Sequence, residues 1–496
     1  MKKPWIQVLF FCGLSFLFYF VTINRGFVCD DYIVLKRVVV DKTLWIPDFF
    51  RPLSDIAIYF NYLLGGFNAK GYYVFNILIH GINSFLLFRF CLQWKWTENM
   101  ARQQLFAFVA GLLFLTYPFH NESVVWMLGR ASLLAATFGI LALVILVSGI
   151  AQPLRIFLVC LCWFIGLASY ESIFFLPVMV LLINDDKRRG IIKRNGYWIL
   201  ALTATFVLHL AVRIYMTGGF FGTYGRSFFT QKIIHYSVNI FKVTGRFFLP
   251  PVQNADLLIL LFALVVALII IALIFFFKKI RLADPRRIFF LKLLGLILIT
   301  AVIPVLFSVS TKTSESDRFL YFPSFFLCSA IAFLLVNLLE NKFVFFAVTS
   351  ILIVYNIFFL EKNNFNWIKA SDTSHDILTQ VAANQDGKNI FIINLPDESD
   401  GAFIFRTGFD EALQINGMNR ERVKIVNHLM RDEMLPLPEI IVPQRTDDRI
   451  FISPMVNITI SRNDSLTLTA GDRLYEANAK ESVILYWNKQ QMKLLR

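Results

Sequence analysis

Through the first 360 residues, long apolar stretches alternate with short polar breaks. Apolar segments of spanning length, or nearly so, run near residues 4 to 23, 72 to 93, 105 to 119, 131 to 150, 154 to 169, 172 to 184, 197 to 216, 256 to 277, 288 to 309, 321 to 339 and 342 to 360. The plainest is Leu257 to Phe277, where 21 consecutive apolar residues form a helix of about 30 Å, the thickness of a bilayer's hydrocarbon core. The pattern predicts a polytopic α-helical membrane protein with about eleven transmembrane helices. The first segment reads as an anchor: no small-residue cleavage site follows it, and Gly26-Phe27-Val28-Cys29 is a poor lipoprotein site.

Beyond residue 360 the pattern changes. Asn389-Ile-Phe-Ile-Ile-Asn-Leu395, Arg449-Ile-Phe-Ile-Ser453, Val456-Asn-Ile-Thr-Ile-Ser461 and Ser465-Leu-Thr-Leu-Thr469 read as strands by alternation or short apolar runs, and Gly408 to Asn416 as a short helix. The predicted organisation is a transmembrane domain over 1–360 and a small α+β or β-rich soluble domain over 361–496. No repeat of 30 to 45 residues is visible, so no solenoid is expected.

Composition strengthens this division. Hydrophobic residues make up 57% of the 496-residue chain and charged residues 17%, against about 25% in soluble globular proteins. The net charge of +14 would suggest a nucleic-acid partner were it spread over the chain. Residues 1–360 carry 32 basic and 15 acidic side chains, and residues 361–496 carry 16 and 19. The basic excess therefore belongs to the membrane part, where it reads as topology signal and anionic-lipid contact, with no nucleic acid implied. Lys2, Lys3, Lys95, Arg102, the cluster Lys187, Arg188, Arg189, Lys193 and Arg194, then Lys278, Lys279, Arg281, Arg286, Arg287 and Lys342 fall on one side of an alternating eleven-span path. That side is predicted cytoplasmic, together with the N-terminus. The C-terminal domain is then extracytoplasmic, in periplasm or lumen. The cysteines show no disulfide framework or metal-thiolate spacing.

On this topology the outer loops hold the candidate chemistry: Asp30-Asp31, then His120-Asn121-Glu122 and Arg130, then Tyr170-Glu171, then Lys312, Glu315, Asp317 and Arg318 before Tyr321. Adjacent carboxylates just outside a membrane helix suit a general base acting on a hydroxyl. Arginines in separate loops suit a phosphate leaving group, because the guanidinium fork binds its oxygens bidentately. Together they describe group transfer from a lipid phosphate. Plainer roles exist for each. An Asp-Asp pair can cap a helix, Arg130 and Arg318 can snorkel, His120 and Glu122 can be an interfacial pair, and Tyr321 can belong to an aromatic belt. Glu171, between two spans with almost no loop, is functional by default. Asp31, His120 and Glu122 form the only plausible divalent-cation set; spacing supplies no third strong ligand, so neither metal nor cofactor is expected.

The order of these pieces resembles the glycosyltransferase C superfamily, and within it the protein O-mannosyltransferase-like group that includes the transmembrane and tetratricopeptide-repeat-containing mannosyltransferases. The resemblance rests on Phe27-Val28-Cys29-Asp30-Asp31, Arg51-Pro52-Leu53 with Asn61, and Gly71-Tyr72-Tyr73 with Asn76 and His80. It continues through Tyr117-Pro118-Phe119-His120-Asn121-Glu122-Ser123-Val124 with Gly129-Arg130, then Tyr170-Glu171 leading to Leu176-Pro177, then Asp317-Arg318-Phe319-Leu320-Tyr321-Phe322-Pro323-Ser324. It covers roughly residues 1 to 340. It implies an inverting transferase in which a first-loop aspartate is the base and later basic residues hold the lipid phosphate. Tyr170 stands where that group commonly has Lys, and the residues after 360 are an acidic domain in place of repeats, so acceptor choice does not carry over.

The resulting expectation is a membrane glycosyltransferase acting at the outer face, with a polyprenyl-phosphate sugar as donor and a protein Ser/Thr, a glycan or a lipid-linked saccharide as acceptor. Asp31 is the expected base, with Asp30 as its modulator or alternate. Arg130, Arg318 and Lys312 are assigned to the donor phosphate. His120, Glu122 and Tyr321 would shape the sugar or acceptor site, and Glu171 would orient one of the arginines. The alternatives are a transporter or flippase of lipid-linked saccharides, which predicts ionisable residues at mid-membrane, and a non-catalytic scaffold.

Overall fold

The computed structural model describes residues 3–46, 49–184, 191–219, 232–280, 284–429, 444–446, 449–453, 456–460, 465–470, 472–488 and 490–495. Lys2, Lys187, Arg188, Arg189, Arg281 and Ser461 lie outside the described residues. The chain forms two compact units, one from Met1–Ile23 with Thr43–Asn364 and a second from Asn24–Lys42 with Phe365–Arg496. The segment 24–42, expected as a loop of the membrane part, thus groups with the C-terminal residues.

The first unit is a helical bundle. Among the described residues, eight helices are long and apolar enough to cross a membrane. The three other expected segments form shorter apolar helices, Met100–Leu115, Gln152–Leu167 and Leu176–Ile183. At 16, 16 and 8 residues they rise about 24, 24 and 12 Å. Pro118, two residues after Thr116 caps the first of these, stops it there. Tyr321–Leu338 is the central helix, with 83% of its apolar window buried, whereas Ala255–Lys279 has none of its window buried. An all-round apolar helix with no protein cover is one that faces lipid. Helices Pro4–Tyr19 and Ala69–Gln93 pack at Gly81, where a Cβ would stand 2.6 Å from Cys12 Cα, the small-residue contact that lets membrane helices approach. Two further helices, Pro52–Gly65 and Ile233–Arg246, occupy stretches expected as loop.

The second unit is α+β. Strands Met492–Leu494, Ser482–Trp487, Asn389–Ile393 and Val423–Ile425 form one sheet in that order. The inner pairs are parallel, Asn389 opposite Ser482 and Ile390 opposite Val423. The apolar run Ile390 to Ile393 is buried throughout, as expected of a central parallel strand covered on both faces. A five-stranded antiparallel sheet runs Arg473–Asn478, Ser465–Ala470, Val456–Ile460, Arg449–Ser453, Gln444–Thr446. Phe391, Ile393 and Ile484 of the first sheet share a core with Leu466 and Leu468 of the second. The predicted short helix is Phe409–Ile415.

Candidate functional site

In the first unit the loop after Met100–Leu115 folds into a short helix, Asn121–Val124, and a 3-10 turn, Met127–Gly129. The turn is tight enough that a Cβ on Gly129 would stand 2.3 Å from the carbonyls of Glu122 and Ser123, which explains a glycine directly before Arg130. Glu122 is fully buried. Its Oε2 accepts from the Arg318 backbone N–H at 2.9 Å and its Oε1 accepts from the Arg318 guanidinium. Burial pushes the Glu122 carboxyl up and the Arg318 charge pulls it back, leaving it above the usual range.

The neighbouring Asp317 has a different partner. Both its oxygens accept from Arg246 Nη2, at 2.7 and 2.5 Å, in a pair with almost no exposure. Arg246 also lies over the Phe119 ring at 4.2 Å. Glu171, half-buried, sits between Arg51 at 3.2 Å and Arg213 at 3.5 Å. Tyr170 links the two groups, its ring facing the Arg51 guanidinium at 4.4 Å and stacking on Phe319 at 6.1 Å. Four guanidiniums therefore meet the carboxylates of Glu122, Glu171 and Asp317, with the Glu315 carboxylate also close enough to act on Glu122. Arg51 and Arg318 keep 29% and 26% of their side chains exposed.

The other expected residues are placed differently. Arg130 is fully buried, donating to Asn76 Oδ1 and the Tyr72 carbonyl, both at 3.2 Å, with the Phe75 ring at 4.6 Å. His120 Nε2 bonds Ser324 Oγ at 2.7 Å. Its ring packs on Tyr321 at 4.4 Å, and the Tyr321 hydroxyl meets His80 Nδ1 at 2.8 Å and Asn83 Nδ2 at 3.1 Å. These groups are buried in the bundle. Lys312 is half-buried, its carbonyl accepting from Gln253 at 2.7 Å. The arginines that Glu171 pairs with are Arg51 and Arg213, not Arg130 or Arg318.

Asp30 and Asp31 belong to the second unit, in the first turn of helix Asp30–Leu35. Asp31 is fully buried and its Oδ2 accepts from the Val28 N–H at 3.1 Å. Asp30 is half-exposed, its Oδ1 accepting from the Thr407 hydroxyl and from the Cys29 thiol at 3.7 Å. Among the described residues no group of three or more His, Cys, Asp and Glu is placed to hold a metal ion.

Sequence reasoning passed over Arg51, Arg213 and Arg246 as site residues. Arg51 opens the Arg51-Pro52-Leu53 motif, and Arg213 is an ionisable residue inside an apolar segment, a sufficient signal by itself. Arg246 ends a helix whose periodicity went unread.

These features define a multi-span helical membrane protein with ion-paired loops and an α+β unit. Its curated relatives carry one kind of name. Protein O-mannosyl-transferase TMTC2 of Mus musculus is 27% identical over 150 residues, covering 26% of this chain and 17% of the relative. Protein O-mannosyl-transferase Tmtc2 of Drosophila melanogaster is 31% identical over 147 residues, covering 26% and 15%. Protein O-mannosyl-transferase TMTC4 of Homo sapiens is 37% identical over 101 residues, covering 19% and 14%. The chain thus spans less than a fifth of these relatives' length, and its resemblance to O-mannosyltransferases stands on homology as well as on motifs. No family model matches. No solved structure matches.

Proposed function

We propose that this protein is a multi-span membrane glycosyltransferase of the C type, with a cytoplasmic N-terminus and an extracytoplasmic C-terminal unit, that transfers a sugar from a polyprenyl-phosphate carrier to a hydroxyl acceptor. The relatives' names favour mannose as the sugar and a protein as the acceptor. The acceptor oxygen attacks the anomeric carbon opposite the phosphate, its proton passes to an aspartate, and the carbon–oxygen bond to phosphate breaks with its electron pair leaving on the phosphate. Configuration inverts.

The observation that carries this reading is the chain of four guanidiniums, Arg51, Arg213, Arg246 and Arg318, brought together from four separate segments of the first unit. A carrier phosphodiester bears one negative charge, and after cleavage the leaving phosphate gains another, so preorganised arginines stabilise the departing group more than the bound one. The partial exposure of Arg318 and Arg51 supports these two as the phosphate contacts. The burial of Arg130 supports a role in holding Asn76 and Tyr72 in place. Of the aspartate pair, the exposure of Asp30 supports it as the proton acceptor beside Asp31, the residue expected from sequence. Purified protein given labelled polyprenyl-phosphate mannose and Ser/Thr peptides should release polyprenyl phosphate and label the peptide. Movement of intact carrier between leaflets with no transfer would replace this reading with a flippase.

A further inference from the structure

Within the second unit, the crossover 394–408 leaves the carboxyl end of strand Asn389–Ile393 and enters helix Phe409–Ile415. It grips the segment that carries Asp30 and Asp31. The Ile404 carbonyl accepts from the Cys29 N–H at 2.8 Å. The Tyr32 ring stacks on Phe405 at 6.2 Å. Thr407 Oγ1 donates to Asp30 Oδ1 and lies 3.3 Å from Cys29 Sγ. Gly408 has φ +80°, and a Cβ there would stand 2.3 Å from the Cys29 carbonyl, so the approach needs a glycine on both counts. The other flank is tied to the helix Lys342–Ala383, where Ser371 Oγ accepts from the Gly26 N–H at 2.7 Å and Ser374 Oγ donates to the Phe27 carbonyl at 3.4 Å.

We infer that Thr407 is a positioning residue for the aspartate pair, with Gly408 admitting the close approach, so that the soluble unit sets the direction in which the Asp30 carboxylate faces an acceptor. A carboxylate has two oxygens with about four lone-pair sites. Fixing Oδ1 with the Thr407 hydroxyl bond restricts the torsional freedom of the group and leaves Oδ2 for the incoming proton. Catalysis is sensitive to such fixing, since a misplacement of about 1 Å costs on the order of 10²-fold. The inference rests on the reading of this pair as the base.

The test uses the full chain in nanodiscs with Thr407→Val, Thr407→Ser and Gly408→Ala. Valine keeps the shape and removes the donor, so kcat should fall about 10- to 100-fold with donor KM unmoved, and serine should restore it. Alkylation of Cys29 by N-ethylmaleimide, located by mass spectrometry, gives a second readout that needs no transfer: Cys29 is 2% exposed, and Thr407→Val and Gly408→Ala should both speed its labelling. Wild-type kcat in Thr407→Val, or a loss that serine fails to restore, overturns the positioning role. If the wild type transfers no sugar, the functional reading fails by itself, and unchanged Cys29 labelling in both variants would overturn the grip independently.

Discussion

Glu122 and Arg318, 196 residues apart, are joined at two points, the carboxylate taking both the backbone N–H and the guanidinium of the same residue. Glu122 therefore sets where the Arg318 main chain runs as well as where its charge points. Glu122→Gln should destabilise the protein by roughly 3–5 kcal/mol, the usual result of removing one partner from a buried pair, seen as a lower unfolding temperature in detergent. Arg318→Lys keeps the charge and loses the fork, so carrier affinity should fall about tenfold with a smaller stability loss. Equal carrier binding by wild type and the lysine variant would remove Arg318 from the phosphate.

The pair Arg246 and Asp317 makes a contrasting prediction. Because both partners are enclosed, Asp317→Asn strands a buried guanidinium at a cost of about 3–5 kcal/mol, whereas an apolar replacement of both residues should recover most of it. A double variant no more stable than Asp317→Asn in thermal unfolding would show that the charges do more than satisfy each other.

For the aspartates, loss of a general base costs on the order of 10² to 10⁴ in rate. Asp30→Asn should lose this much in single-turnover transfer while carrier binding survives, and Asp31→Asn should lose less. The reverse order would put the base at Asp31. Near wild-type rates in both would take it out of the pair.

Cys29 supplies the pH dependence. Burial, then the nearby Asp30 charge, pushes its thiol from 9.0 up to about 12. The folded thiol resists ionising where the unfolded one already has, so its stabilising contribution is complete below pH 9 and shrinks as pH rises toward 12. The loss is about 1.4 kcal/mol per pH unit in that window. Cys29→Ser should flatten that part of the stability profile relative to wild type. Parallel profiles would mean that Cys29 does not titrate against folding.

The spans were legible because a long apolar run has one solution in lipid, a helix with its backbone bonds closed on itself. Leu257 to Phe277 is the clearest example. Pro52–Gly65 was less legible, since 14 residues interrupted by Ser54, Asp55 and Asn61 carry too little apolar periodicity to declare a helix. At the site, residue types were readable but partners were not. Glu122 and Arg318 were each candidates, yet nothing local says that they meet. Thr407 was invisible, because it lies 377 residues from Asp30 in a stretch with no motif of its own.

The second unit is discontinuous, made from residues 24–42 and from residues beyond 364. During synthesis the crossover that grips the aspartate segment is made more than 350 residues after it. At the 5–20 residues per second of translation, the pair waits on the order of twenty seconds or longer for its support. A nascent chain that has already made its early helices therefore still lacks the contacts that hold the aspartate pair, and on the proposed reading transfer would begin only once the stretch through Gly408 has been made and folded.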